Sequence, residues 1–218
     1  MIKTNPGTKY DVQWGLTPRG ERQVRNAAAV LDAMGCDDPV LYYSNFNRGY
    51  MTASLLVEEG IASWSNARAT YRNYDPRPLG AYEGQPQALM EAVWAQDAKD
   101  AHIKPPPAED SMAPDESAES VVDLFRTCLE TYTRLESIYS GRDIVQVSHI
   151  DRTDVWQAAL TGYPLERHHE LAFDHGEVRL IDMRGYDEER PEETLKTCVA
   201  YGPRTLERLV EDGYCDVA

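Results

Sequence analysis

Long apolar runs are missing from this sequence. No stretch approaches the ~20 residues needed to cross a bilayer, and the opening MIKTNPGTKYDVQW lacks the apolar core of a secretion signal. The expected location is therefore the cytoplasm, with no membrane partner. Cysteine is scarce as well: Cys36, Cys128, Cys198 and Cys215 are scattered with no CxxC pair, which excludes the usual metal-ligand spacing and a disulfide framework. No cofactor and no metal ion is expected. Basic charge is in deficit, with 22 Lys and Arg against 37 Asp and Glu and a net charge of −15. Such a surface repels nucleic-acid phosphates and anionic lipids, so neither is expected as a partner. A small anionic metabolite remains admissible where a local arginine cluster overrides the global field. Internal repeats are also absent.

What is present suits an ordinary globular domain: 218 residues, 42% hydrophobic and 27% charged. The segment Thr17 to Gly35 reads as a helix, with Thr17 as N-cap, Pro18 at the first helical position, and Val24, Ala27, Ala28 and Leu31 in a stripe. Pro39 to Tyr43 reads as a buried strand, followed by the polar loop Ser44 to Asn47 and a helix from about Arg48 to Glu59. Residues 60–114 are less regular. They hold a turn-rich stretch from Asp75 to Gly84, a helix from Gln87 to Asp100, and a proline-bracketed acidic loop. The clearest helix runs from Glu119 to about Ile138. A strand from Asp143 to Ser148, a helix from Thr153 to Thr161, a strand from Val178 to Asp182 and a last helix near Pro203–Glu211 complete the chain.

Alternating strands and helices imply an α/β fold: a mostly parallel sheet covered on both faces in a three-layer α/β/α sandwich. Ligands of such sheets bind beyond the carboxyl ends of the strands. The junctions Ser44–Arg48 and Ser148–Arg152 are therefore the candidate site. Both follow the layout in which helix N-terminal amides meet anions.

Several segments carry a resemblance. Leu16 to Gln23 resembles an "LT-x-x-G-x-x-Q" helix start, and Tyr43 to Ala53 an "S-S-P-L-x-R-A-x-x-T-A" junction. Leu79 to Gly84 looks like "F-G-x-W-E-G", and Asp115-Glu116-Ser117 with Arg126 is similar to "G-E-S" with a helical Arg. Val145 to His149 matches a "V-V-S-H-G" strand end, and Leu160 to Gly162 the "L-L-G" after it. In this order and spacing, over residues 16 to 185, the chain resembles the histidine phosphatase (phosphoglycerate mutase-like) family. The resemblance implies one phosphoglycerate mutase-like domain over residues 1–218, with an insertion at about 67–114. It also implies a site of two histidines and two arginines, in which one His takes the phosphoryl group and the Arg side chains hold its oxygens. Arg48 falls on the second phosphate-binding Arg and His149 on the second His, with Ser44 and Ser148 beside them. Some members of the family dimerise, which leaves a homodimer open.

The chain departs from the family at its start. The "R-H-G" motif that supplies the nucleophile aligns with Asn5-Pro6-Gly7, and no His precedes His102. Neither Asn nor Pro accepts a phosphoryl group. The family's Glu falls on Pro76, leaving Asp75 or Glu83 as a substitute acid, and Ile150-Asp151-Arg152 replaces small residues after His149. Two readings compete. The site is rebuilt around His149, Asp151, Arg152 and Arg48 for another reaction, or the chain is a pseudophosphatase kept for binding or assembly. A start upstream of Met1 is a third reading, against which Gly7 already fills its slot. In the leading reading, Arg48 and Arg152 hold a small phosphorylated or carboxylated metabolite, His149 is base or donor, and Asp75, Glu83 or Asp151 is acid. Asn5 and His175 join as minor ligands. His168 and His169 read as solvated neighbours, Tyr82 and Trp156 as packing residues, and Asp187–Glu193 as a solvated loop.

Overall fold

The computed structural model describes residues 14–70, 73–106, 118–161, 163–180 and 199–201. Helix α1 (Pro18–Ala33) begins as its sequence dictates. The Thr17 hydroxyl accepts the Gly20 N–H at 3.1 Å, and Pro18 sits where no backbone donor is required. Strand β1 (Val40–Ser44), helix α2 (Asn47–Glu58) and strand β2 (Ala67–Thr70) follow, then the short helix α3 (Met90–Asp97). Next come α4 (Val121–Ile138), β3 (Ile144–Val147) and α5 (Ile150–Thr161), and finally β4 (Val178–Leu180) and β5 (Val199–Tyr201).

The main sheet has the order β2-β1-β3, all parallel, with Leu41 opposite Ala67 on one side and Val145 on the other. Side chains of β1 alternate between two cores, as a strand covered on both faces requires. Leu41 and Tyr43 pack with Val24, Ala28 and Leu31 of α1 and Ala53 and Leu56 of α2. Tyr42 packs on the opposite face with Tyr74, Cys128 and Tyr132 of α4, and Trp156 of α5. This is the three-layer arrangement expected from the alternation of elements. β4 and β5 form a separate antiparallel pair. Among the described residues, no helix is long and apolar enough to cross a membrane.

Three differences from the sequence reading have physical causes. Residues 67–70, at the start of the expected insertion, form a strand of the sheet. Among the described residues β2 is hydrogen-bonded on one side only, and it is half-exposed along Ala-Arg-Ala-Thr, so it needs no apolar pattern and shows none. α4 starts at Val121, two residues later than expected, because Ser120 and Asp123 form a reciprocal capping box. α5 starts at Ile150, three residues earlier, with the Thr153 N–H bonded to the His149 carbonyl at 2.9 Å. That start places His149 directly at the mouth of the helix. The expected last helix near Pro203–Glu211 and the acidic run Asp187–Glu193 lie outside the described residues.

Gly80 marks the turn-rich segment between β2 and α3. Its φ is +54°, and a Cβ there would lie 2.1 Å from the Pro106 carbonyl oxygen, which accepts the Ala81 N–H at 2.8 Å. Only glycine satisfies both the backbone angle and that approach.

Candidate functional site

Because β1 and β3 are adjacent and parallel, their carboxyl ends bring the two polar junctions together. Ser44, the last residue of β1, meets His149, two residues past β3: His149 Nε2 lies 2.9 Å from Ser44 Oγ. Ser44 Oγ donates to Asp75 Oδ1 at 3.0 Å, and the same carboxylate oxygen accepts the Asn45 N–H at 3.1 Å. On the other ring nitrogen, Arg48 Nε donates to His149 Nδ1 at 3.3 Å. A guanidinium can only donate, so Nδ1 must carry the lone pair and Nε2 the proton. The hydrogen bonds therefore run in one direction, from Arg48 through His149 and Ser44 to Asp75.

His149 is neutral for a stated reason. Burial holds its pKa well below the usual 6.5, and the nearby charges of Arg48 and Arg152 push it the same way. The ring is steadied by the edge of Phe46 at 5.6 Å, and the Arg48 guanidinium lies over that same Phe46 at 4.9 Å. Burial also lowers Arg48, while the charges of Glu83 and Asp75 support its cationic form. Arg152 is 1% exposed. Its Nε donates to the Asp75 carbonyl at 2.6 Å and its Nη2 to Glu119 Oε2 at 3.0 Å, while its Nη1 has no hydrogen-bond partner among the described residues.

The first turn of α2 reaches this network through Gly49, at the position where the family motif has Ala. A Cβ at residue 49 would lie 2.6 Å from the Ser44 carbonyl oxygen. Gly49→Ala should therefore push α2 off the end of β1, separating Arg48 from His149. The expected result is a loss of roughly 1–3 kcal/mol in urea unfolding, as for other overpacked positions.

The structure gathers Ser44, Arg48, Asp75, His149 and Arg152 into one network, with Glu83 near enough to act on Arg48. Ser148 is a fastener, its hydroxyl donating to the Tyr74 carbonyl at 2.8 Å. Asp151 is not part of the network. It is buried on another side of α5, where Trp94 Nε1 donates to it at 2.9 Å and Arg77 Nη1 lies 3.7 Å away. His175 is exposed on the turn before β4, and no hydrogen bond among the described residues ties it to His149. Asn5, with Pro6, and Asp115–Ser117 lie outside the described residues. Glu119 was missed by sequence reasoning, because its partner Arg152 is 33 positions away. His168 corrects the expectation of a solvated pair. It is fully buried against Asp97, while His169 stacks on Trp94. Trp156 and Tyr82 pack as expected, in the cores around Tyr74 and Leu79.

A parallel sheet covered on both faces, with arginines and a histidine converging at its carboxyl ends, defines an α/β protein of the phosphoglycerate mutase-like architecture. The profile of the histidine phosphatase superfamily (branch 1) matches residues 5–192, and the chain belongs to that family. Solved structures share the fold. The native mycobacterial glucosyl-3-phosphoglycerate phosphatase is 22% identical, with 81% of this chain and 84% of that one covered and a TM-score of 0.57. Mycobacterial hydrolase 1 is 20% identical, with 87% and 89% covered and a TM-score of 0.58. The alpha-ribazole phosphatase of Shigella flexneri is 20% identical, with 77% and 78% covered and a TM-score of 0.54. No curated protein sequence matches the chain.

Proposed function

We propose that this member of the histidine phosphatase superfamily binds a small phosphorylated or carboxylated metabolite at the carboxyl ends of β1 and β3, and does so without forming a phosphohistidine. The observation that carries this reading is the unpartnered Nη1 of Arg152, buried in a cluster that also holds Arg48 and a neutral His149. A buried cationic donor with no acceptor is costly, and an anionic oxygen relieves that cost. Guanidinium forks match phosphate and carboxylate in both charge and geometry. The names of the similar structures, two of them phosphatases of phosphorylated metabolites, support the phosphate side of the reading.

The absence of a covalent intermediate rests on the sequence. Within residues 5–192 no histidine precedes His102, and Pro6 falls where the family's nucleophile is expected. His149 is poorly placed to substitute. It is half-buried, Nδ1 is taken by Arg48, and Nε2 donates to Ser44. In this reading His149 and Ser44 orient the anion-binding arginine, and Asp75 with Glu83 holds the balance of charge around it.

A thermal-shift series with inorganic phosphate and a set of phosphorylated and carboxylated metabolites tests the proposal. A ligand at 100 times its dissociation constant should add roughly 2.7 kcal/mol of stability. Arg48→Ala, folded by circular dichroism, should lose that gain. Incubation with an aryl phosphate should leave no acid-labile phosphoenzyme and little hydrolysis. Robust turnover with a trapped phosphohistidine would overturn the non-covalent reading. A broad set with no stabilising ligand would overturn binding itself and favour an assembly role.

A further inference from the structure

On the side of α5 turned away from the anion network, Asp151 and Asp154 lie one helical turn apart and both are buried. Facing them is His168, on the 3-10 helix Leu165–Leu171. One ligand atom from each of the three residues can be chosen so that all lie within 4.8 Å of one another. We propose that Asp151, Asp154 and His168 form a binding site for a divalent transition-metal ion, zinc in the first instance. The bound ion would clamp the start of α5 to the Leu165–Leu171 segment.

Two observations independent of the acidic pair point to a ligand. His168 is 0% exposed, yet among the described residues its Nδ1 has no hydrogen-bond partner. Asp154 is likewise 0% exposed, and among the described residues neither of its carboxylate oxygens has a partner at hydrogen-bonding geometry, the Phe173 N–H being close enough only to act on its charge. The residues that carry these orphaned atoms come from two separate elements and lie in one buried cluster, where each orphaned atom would otherwise carry an uncompensated desolvation cost.

The surroundings match what a metal-bound imidazole needs. His168 Nε2 donates to Asp97 Oδ2 at 3.3 Å, which fixes the tautomer and leaves Nδ1 with its lone pair. Carboxylate, imidazole and metal in line is the arrangement by which outer partners orient a ligating His. Asp97 is itself held by two hydrogen bonds from Arg77, at 2.7 and 2.9 Å. Trp94 Nε1 fixes Asp151 through Oδ1, while Oδ2 lies 3.7 Å from Arg77 Nη1 and keeps a lone pair for a ligand.

Charge also permits a cation. Arg77 approaches Asp151, and Arg179 acts on Asp154, so two guanidiniums are near. Against them stand four carboxyl groups, Asp97, Asp151, Asp154 and Glu177; with Asp154 giving up its proton on binding, as a ligand must, a divalent ion brings the group to neutrality. One nitrogen with two carboxylate oxygens suits zinc, with a further position for water. Ligand atoms on a tetrahedral zinc with bonds of about 2.0–2.1 Å sit roughly 3.4 Å apart. The most widely spaced of the present atoms must therefore close by up to about 1.4 Å.

The test uses the full chain, stripped with EDTA and desalted, then titrated with zinc alone by calorimetry and thermal shift. Cobalt serves as a spectroscopic probe of coordination. The expected result is a stoichiometry near one, a raised Tm, and visible absorption of the cobalt form typical of tetrahedral coordination. Asp154→Asn keeps the side-chain shape and removes a buried carboxylate, so it should fold, and it should weaken zinc binding by at least about the 10–100-fold seen for lost outer-shell partners. His168→Gln should do the same, while His175→Gln, on the exposed turn, should bind zinc as the unaltered chain does. Absent binding, or equal zinc affinity in folded Asp154→Asn, would overturn the site.

Discussion

Arg77→Met should cost about 3–5 kcal/mol in urea unfolding, the penalty for leaving one member of a buried ion pair behind. Arg77 and Asp97 are each 1% exposed, and their contact is bidentate. Arg77 also donates through Nε to the Glu119 carbonyl at 2.7 Å, tying α3 to the approach to α4. Methionine fills much of the space but supplies none of these donors. Burial pushes the Asp97 carboxyl upward, yet hydrogen bonds from His168 and Arg77 outweigh it and hold Asp97 below the usual carboxylate range. Without Arg77, that balance is lost. The double variant Arg77→Met/Asp97→Leu should recover a large part of the loss, because two apolar side chains leave no charge stranded. A single-variant loss below 1 kcal/mol would show that the pair is solvated in solution.

The second large effect is a dependence on pH set by His149. Its folded pKa lies well below 6.5, so below about pH 6.5 the unfolded chain takes up a proton that the folded chain refuses. Protons bound preferentially by the unfolded state destabilise the folded one. The contribution of His149 should therefore shrink by up to about 1.4 kcal/mol per pH unit as pH falls below 6.5. Asp154 acts in the opposite sense. Burial first, then Asp151, pushes its carboxyl up to about 8, with Arg179 and the Phe173 N–H pulling back in part. The folded state then keeps a proton that the unfolded state releases, and stability is lost as pH rises from about 4 to about 8. In the metal-free chain the two slopes oppose each other. Unfolding curves from pH 5 to 8 should show His149→Gln losing stability more steeply with rising pH than the unaltered chain. Asp154→Asn should show the reverse. Parallel curves for all three would show that neither group has its pKa moved by folding.

The parts of the molecule legible in the sequence are those where local pattern and burial coincide. β1 is the central strand of a parallel sheet, so Val-Leu-Tyr-Tyr is apolar on both faces and stands out. Ser44, Arg48 and His149 were legible because they end or follow such strands, and strand order then brings them together. β2 was not, because its four residues are half-exposed and carry no apolar pattern. Asp151 read as a pocket acid because it sits between His149 and Arg152, but a helix turns about 100° per residue and carries it to another side. The Arg77–Asp97–His168 group left no trace in any window. Its partners are 20 and 71 residues apart, and a bond across that distance has no periodicity to read. Apolar stripes announce a buried face, whereas a buried polar contact announces nothing until the elements are assembled.

Asp75 binds its neighbours with two different parts of itself. Its carboxylate holds Ser44 and Asn45, but its main-chain carbonyl holds Arg152. The second grip does not depend on which amino acid occupies the position. Drift at residue 75 would therefore strip the Ser44 side of the network while leaving the Arg152 anchor in place. A chain that had lost the acid would still hold its arginine in place, so on the proposed function anion binding would not depend on the side chain at residue 75.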